Sequence, residues 1–186
     1  GRKTKDKFII GCALDWLAYH TSYKRAATED PDEMLRLNEA ILQYAEDAKR
    51  SYFPISFTSP RDDDSCIESI HAENFNFLAH HETDVKKKQA LLEKAIAAAR
   101  EGLKRAEASG YIEILMQQHH VFSVVLVDVA HLEKRTDEEK AILREAMRHR
   151  EEAARIMENI QPLSYWNRAV YQGSLANIKR FLAELA

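Results

Sequence analysis

The sequence predicts an all-α fold of seven long helices, and three observations support this prediction. Residues that punctuate turns are sparse, with five Gly and four Pro in 186 residues, which favours a few long helices over many short strands. Between these breaks the apolar residues recur at helical spacing, as in the stripe Leu92, Ile96, Ala99 and Leu103. Small residues also recur at matched positions along the chain, which predicts one array of stacked hairpins.

Local signals set the boundaries of these helices. Asp30-Pro31 and Ser59-Pro60 each place a capping side chain before a Pro, a residue that suits the first helical position. Thr136, with an acidic residue three positions later, predicts another helix start, and Gly110 predicts a left-handed helix end. The predicted helices cover residues 6–26, 30–50, 61–82, 84–108, 111–134, 137–160 and 164–185.

Two segments depart from the simple helical pattern. Residues 121–129 are rich in β-branched side chains and alone would suit a strand, but their length and their register with the other helices predict a helix. Residues 51–60 form the only long loop and carry Tyr52, Phe53, Ile55 and Phe57. We expect this apolar loop to pack on the array.

The first, third, fifth and seventh helices share one pattern, which fixes their common register. Their aligned alanines, 51 to 61 residues apart, are Ala18, Ala79, Ala130 and Ala183. Seven residues earlier stand the small residues Gly11, Ala72, Ser123 and Ala176. Because seven residues nearly complete two turns, each pair of small residues lies on one helix face, where a neighbouring helix can approach closely. The pattern therefore predicts the same helix contact in every repeat.

The second, fourth and sixth helices align without gaps, at spacings of 55 and 51 residues. They read Ala40-Ile41-x-x-Tyr44, Ala95-Ile96-x-x-Ala99 and Ala146-Met147-x-x-Arg150. This pattern resembles the second helix of the tetratricopeptide repeat. The repeat here is longer than the usual 34 residues and lacks the Trp and Leu-Gly signature of the first helix. It looks more like the tetratricopeptide-like arrays of prokaryotic signalling and regulatory proteins.

The resemblance implies a right-handed α-α superhelix that forms a single domain over residues 1–186. Its hairpins would span about 6–50, 61–108 and 111–160, and a capping helix would cover about 164–185. In such arrays the first helix of each hairpin lines a concave groove, so the resemblance also implies a scaffold that binds a protein segment or peptide. The sequence has no initiator Met, and we expect it to be a fragment of a longer protein.

Each of these first helices carries one polar stripe between two apolar sectors, as a groove-lining helix should. One sector holds the small and Leu positions, and the other holds Trp16, Phe77 and Phe181. The sequence leaves open whether the stripe is a ligand surface or a solvated ridge. The candidate groove residues on the stripe are Asp15, Tyr19, Glu73, Asn76, His80, His120, His131, Asn177 and Arg180.

Eight histidines invite a metal hypothesis, which the repeat register weakens. Glu68-x-x-His71 and Asp128-x-x-His131 resemble the ligand pairs of di-iron bundles, but they lie nine residues out of register. At the rise of an α-helix they would stand roughly 13 Å apart along parallel helices. His80 matches His131 in register, but a metal between these two would need further ligands. We therefore predict no metal, no cofactor and no catalytic residue.

The charge pattern bears on partners and on location. The net charge of −3 gives no pull toward nucleic acid or anionic membrane, and the longest uncharged stretch, 114–127, is too short to span a bilayer. Arginines of the sixth helix alternate with Glu145, Glu151 and Glu152, which predicts an exposed, salt-bridged face. The two cysteines lie far apart and favour a reduced, cytoplasmic protein.

The leading functional hypothesis is a non-enzymatic scaffold whose partner is a protein, a peptide or another domain of the parent chain. A small-molecule-sensing regulatory domain is the alternative, and a helical-bundle metalloprotein is a third hypothesis. A long open groove would favour the scaffold, a compact enclosed pocket the sensor, and a bound metal the metalloprotein. The sequence leaves open whether the protein forms a homo-oligomer.

Overall fold

The computed structural model describes residues 2–52, 62–110, 112–132, 136–159 and 165–185. Within these ranges the chain forms seven helices and no strand, which confirms the predicted all-α class. Residues 53–61 lie outside the described part of the chain, so the expected packing of the apolar loop stays a prediction. The helices are α1 (Arg2–Ala26), α2 (Pro31–Tyr52), α3 (Asp62–His81), α4 (Val85–Ser109), α5 (Ile112–Ala130), α6 (Thr136–Asn159) and α7 (Tyr165–Glu184).

The helix ends largely follow the signals in the sequence. The Asp30 carboxylate accepts a hydrogen bond from the Asp32 backbone N–H at 3.0 Å, and the Asp84 carboxylate accepts one from the Lys86 N–H at 2.9 Å. Such side chains satisfy amides that have no partner inside the helix. Gly110 has a φ of 74°, which is the left-handed conformation predicted for the end of α4.

The predicted end of α5 is wrong. It lies near residue 134 in the prediction, whereas the helix ends at Ala130 and a turn follows at His131 and Leu132. The Leu132 N–H reaches the Val129 carbonyl at 3.0 Å, and this bond to the third preceding residue tightens the last turn and ends the regular helix. The β-branched segment 121–129 is helical, as predicted.

The helices pack as consecutive hairpins. α1 packs on α2, α3 on α4, and α5 on α6, while α2, α4 and α6 each also contact the next helix in the chain. α3 in addition contacts both α1 and α5, so these three helices form one row with their hairpin partners beside it. A stack of hairpins requires this order of contacts, while the handedness of the stack stays a prediction.

The shared register of the odd-numbered helices is confirmed in α1, α3 and α5. In α1, α3 and α5 the small residues of that register are all buried: Gly11, Ala18, Ala72, Ala79, Ser123 and Ala130. In α7, by contrast, Ala176 and Ala183 are exposed. No helix follows α7 within the described residues, so nothing there covers this face. The register therefore predicts which helix face the small residues occupy. That face becomes part of the core only where a following helix packs against it.

The predicted register of α2 is wrong by one residue. The buried positions of α4 and α6 match at the predicted spacing of 51 residues. Those of α2 match α4 at 54 residues in place of 55, so that Ile41 corresponds to Ala95 and Ala48 to Gly102. The prediction matched Ala40 with Ala95 because both precede an Ile. Burial depends instead on which helix face meets the neighbouring helices.

Candidate binding groove

Three neighbouring cavities that share lining residues form a groove along the row of odd-numbered helices. The first, of about 320 Å³, reaches from Arg25 of α1 to Val124 of α5. The second, of about 190 Å³, lies between α3, the start of α4 and the end of α5, and it shares Asn76 and His80 with the first. The third, of about 150 Å³, extends to α7 and shares Val124 with the first and Asp128 with the second. The groove therefore reaches from α1 across α3 and α5 to α7.

Most residues of the predicted polar stripe border this groove. Asp15 and Tyr19 instead line another cavity of about 380 Å³, which also contacts Trp16 of α1, Ile70 of α3 and Gln117 of α5. Arg180 lines none of these cavities, and its guanidinium lies 5.0 Å from the centre of the Phe181 ring. The stripe residues that line the groove are Glu73, Asn76, His80, His120, His131 and Asn177.

Asp128 organises the polar centre of the groove. Asn76 Nδ2 donates to Asp128 Oδ2, and His80 Nε2 lies 3.1 Å from the same oxygen. Because a carboxylate only accepts hydrogen bonds, these contacts orient the Asn76 amide with Nδ2 toward Asp128. Asp128 was not among the stripe residues predicted from the sequence, because it stands in the register of the apolar residues Trp16 and Phe77. The signal in the sequence that could have identified Asp128 is a charged residue at a position that is apolar in the other helices.

Asn76 offers the groove an acceptor. The residue is 6% exposed and borders both the first and the second cavity. Its Oδ1 is buried and has no hydrogen-bond partner among the described residues. A buried acceptor without a partner costs about 1–3 kcal/mol, so this position favours a ligand that donates a hydrogen bond.

Arg25 forms the α1 side of the groove. Its guanidinium lies 4.3 Å from the centre of the Phe77 ring and donates to the side-chain oxygens of Asn38 and Asn74, so it joins α1, α2 and α3. Burial lowers the pKa of Arg25, and the charge of Glu73 opposes this shift. Glu73 keeps contact with solvent through the open groove, but the surrounding walls displace water and raise its pKa against the influence of Arg25. Arg25 lies beyond the aligned part of α1, so the repeat pattern gave no signal for it.

The floor of the groove is apolar. Val121 and Val125 are buried beneath the first cavity, while Val124 is 37% exposed at the boundary between the first and third cavities. At the α7 end the Phe181 ring meets the His131 ring edge-on, with 4.7 Å between the centroids. Apolar walls with a few polar groups are the usual composition of a ligand site.

Arg150 corrects the prediction for α6. The predicted exposed salt bridge is confirmed for Arg155, whose guanidinium pairs with the Glu152 carboxylate. Arg150, however, is 1% exposed, lines the third cavity and contacts His120 Nδ1 through its Nη1. It occupies the register of Ala99, an inward position that the run of charges in the sequence concealed.

The two carboxylate–histidine pairs lie in different surroundings. Glu68 is nearly buried and pairs with Lys49 Nζ at 2.7 Å, His71 Nδ1 at 3.6 Å and Arg105 Nη2 at 3.8 Å. Burial by itself would raise the pKa of Glu68, but the hydrogen bonds and charges of His71 and Lys49 outweigh it and lower that pKa to about 2. Asp128 lies in the groove instead. Across the described residues, no group of three or more His, Cys, Asp and Glu side chains could hold a metal ion.

No family model matches the chain, and no curated protein or solved structure matches it significantly. In the described part of the chain, no helix is long and apolar enough to cross a membrane. The features that define the protein are its all-α fold and the groove along alternate helices.

Proposed function

We propose that this chain is a non-enzymatic scaffold that binds a peptide or a protein segment in the groove along α1, α3, α5 and α7. The segment belongs to a partner protein or to another domain of the parent chain. The observation that carries the proposal is Asn76, a nearly buried residue that borders the first and second cavities and whose Oδ1 has no hydrogen-bond partner among the described residues. A ligand N–H at this position removes the cost of the unpaired acceptor.

An extended polypeptide suits the shape and chemistry of this groove. Every residue except Pro carries a backbone N–H, so a bound segment supplies the donor that Asn76 Oδ1 requires. Alternate side chains of an extended segment point to opposite sides. One set would therefore rest on the apolar floor around Val124, while the other would meet the polar groups around Arg25 and Asp128.

The dimensions favour a segment over a compact small molecule. Two cavities of the groove, of about 150 and 190 Å³, are smaller than the lower end of ordinary small-molecule sites, which is about 300 Å³, and the third, of about 320 Å³, is close to that limit. A ligand has a useful volume to fill here only when it occupies all three cavities. An extended chain spans all three cavities, so the dimensions of this groove favour a peptide segment over a compact small molecule.

The resemblance to tetratricopeptide-like arrays of prokaryotic signalling and regulatory proteins belongs to the same proposal. It is supported by the order of the hairpins and by the burial of the shared small residues in α1, α3 and α5. On this reading the hairpins form a right-handed superhelix, and the protein acts in the cytoplasm as a signalling or regulatory scaffold.

Selection of random peptides displayed on phage against the immobilised chain tests the proposal. Selected peptides are synthesised, and their dissociation constants are measured by calorimetry. The Val124→Arg variant places a long charged side chain at the boundary of the first and third cavities, and we expect it to weaken each peptide at least about tenfold. Val124 is partly exposed, so the substitution leaves the core in place.

Ile112→Arg is the matched control for this experiment. Ile112 is an exposed apolar residue of the same helix and lies outside the three cavities, so its replacement should leave every dissociation constant unchanged. The proposal fails if the selection yields no binding peptide. It also fails if Val124→Arg binds the selected peptides as tightly as the control does.

A further inference from the structure

The exposed apolar surface of this protein is concentrated on α1. The described residues expose nine large apolar side chains, and six of them belong to α1. Four of these six lie at 7-residue spacing on one face of the helix. They are Ile9 (63% exposed), Ile10 (51%), Trp16 (61%) and Leu17 (47%). These four residues, with the exposed Ala13 between them, are named here the α1 face.

In the repeat register, the positions of the α1 face are those that contact the preceding hairpin in α3 and α5. The residues of α3 at the positions of the α1 face are buried or half-buried, and they include Ile70, His71, Phe77 and Leu78. In α5 the same positions hold Val121, Phe122, Asp128 and Val129. α3 and α5 present these positions to the preceding hairpin, as the contact of Phe77 with Arg25 of α1 shows. The corresponding side chains of α1 stay largely exposed, although the Trp16 ring also stacks on His20 at 5.1 Å and borders the cavity that Ile70 and Gln117 line.

The opposite end of the array carries different chemistry. Where α1, α3 and α5 have Leu14, Phe75 and Leu126, α7 has Lys179. Lys179 is exposed, and so is its neighbour Arg180. A head-to-tail stack of two copies would bring the apolar α1 face against Lys179 and against the Arg180–Glu184 ion pair, and removing these charged groups from water costs free energy. The α7 end therefore does not match the α1 face.

We propose that the α1 face binds the α1 face of a second copy of this chain, with the two helices antiparallel across a two-fold axis at Ala13. Such a pairing sets Ile9 of one copy opposite Leu17 of the other and Ile10 opposite Trp16. The small side chain of Ala13 lies at the crossing point, where it lets the two backbones approach closely. Every apolar residue of the face then meets an apolar residue, as a self-complementary two-fold interface requires.

The area of the surface is sufficient for a weak dimer. Tyr19 and Tyr23, 50% and 58% exposed, flank the α1 face and would extend the contact. With roughly 150–250 Å² for a fully exposed side chain of this size, the six residues offer on the order of 600 Å² per copy. Two copies would bury about 1,200 Å², which is the lower end of the range for specific interfaces. The dimer is therefore expected to have a dissociation constant in the micromolar range. This interface does not depend on the proposed function of the groove.

Sedimentation velocity across a concentration series measures the association directly. We expect the wild-type chain to shift from monomer to dimer as its concentration rises through the micromolar range. Ile9→Lys should raise the dissociation constant at least about tenfold, whereas Val85→Lys, at a site that is 70% exposed on α4, should leave it unchanged. A wild-type chain that stays monomeric at every concentration overturns the proposal, and so does a dimer that both variants weaken equally.

A charge swap and a cross-link test the antiparallel register. The double variant Ile9→Lys/Leu17→Glu should regain association that Ile9→Lys alone loses, because each Lys would then face a Glu of the other copy. In a background of Cys12→Ala and Cys66→Ala, mild oxidation should link Ala13→Cys into a disulfide dimer but not Ala27→Cys, which lies beyond the end of α1, far along the helix axis from the two-fold axis at Ala13. A double variant no better than the single one, or equal cross-linking at both sites, contradicts this arrangement.

Discussion

The middle of the array and its two ends use the same helix register in different environments. In α3 the small residue Ala72 is buried, and Phe77 is half-buried beneath Arg25. At one end of the array, Trp16 of α1 takes the position of Phe77 but is 61% exposed. At the other end, Ala176 of α7 takes the position of Ala72 and is also exposed. A repeat pattern thus reports which face a residue occupies, while its energetic importance depends on whether a neighbouring hairpin covers that face.

The largest expected effect comes from the same substitution made in the middle and at the end. Ala72 is fully buried in the main core cluster, so Ala72→Leu overpacks the contact between hairpins and should lower the free energy of unfolding by about 3 kcal/mol. Ala176→Leu adds the same atoms to an exposed face and should change it by less than about 0.5 kcal/mol. Urea denaturation followed by circular dichroism measures both values. Equal effects of the two substitutions would contradict the difference in burial between Ala72 of α3 and Ala176 of α7.

Two helical glycines provide a comparison in which the signs should be opposite. A Cβ at Gly102 of α4 would overlap Gln118 Oε1 and lie 3.2 Å from Glu68 Cβ, whereas one at Gly173 of α7 would meet no atom within 4 Å. Gly102→Ala should therefore lower the free energy of unfolding by about 1–2 kcal/mol. Gly173→Ala should raise it by about 0.5–1 kcal/mol, because alanine restricts the unfolded chain. The measurement is again urea denaturation. The double variant Gly102→Ala/Gln118→Ala tests whether contact with Gln118 causes the loss.

The double variant separates a steric contact from a general effect of helix propensity. If Gln118 is the obstacle, removing its side chain should make the added methyl at position 102 less costly than it is in the wild-type background. Equal costs in both backgrounds would contradict the close approach of α4 and α5 at this point.

A smaller effect is expected from two histidines that join α5 to α6. His119 Nδ1 and His149 Nδ1 lie 2.9 Å apart. Burial and the neighbouring His149 lower the pKa of His119 to about 4, and burial also lowers the pKa of His149. The unfolded chain therefore binds more protons than the folded chain from about pH 6.5 down to about pH 4, so stability is lost as pH falls through this window and is fully present above it. We expect a loss of about 1 kcal/mol between about pH 7 and about pH 5.

The pH dependence has a direct control. The variant His119→Gln/His149→Gln keeps polar side chains at both positions but removes the two titrating rings. Its free energy of unfolding should change less than that of the wild type over the same pH interval. An identical pH dependence in the two proteins would assign the effect to other groups.

The sequence was sufficient for the fold class and for the register of the odd-numbered helices, because a helix face leaves a 7-residue spacing of small residues. The register predicted for α2 was wrong by one residue, because the Ala-Ile pairs at 40 and 95 are identical in sequence but differ in burial. Asp128 and Arg150 were misread for a related reason. Each is a charged residue at a position that faces inward, and only the surrounding helices show that Asn76, His80 and His120 contact these charges.

Hydrogen exchange of the chain with and without a selected peptide tests the central claim most directly, because it shows which helices the ligand covers. We expect the peptide to slow exchange in α3 and α5, over residues 73–80 and 120–131, which line the groove. Exchange in the outer turns of α2 and α6 should stay unchanged. Protection confined to the even-numbered helices, with none in α3 and α5, would contradict the assignment of this groove as the ligand site.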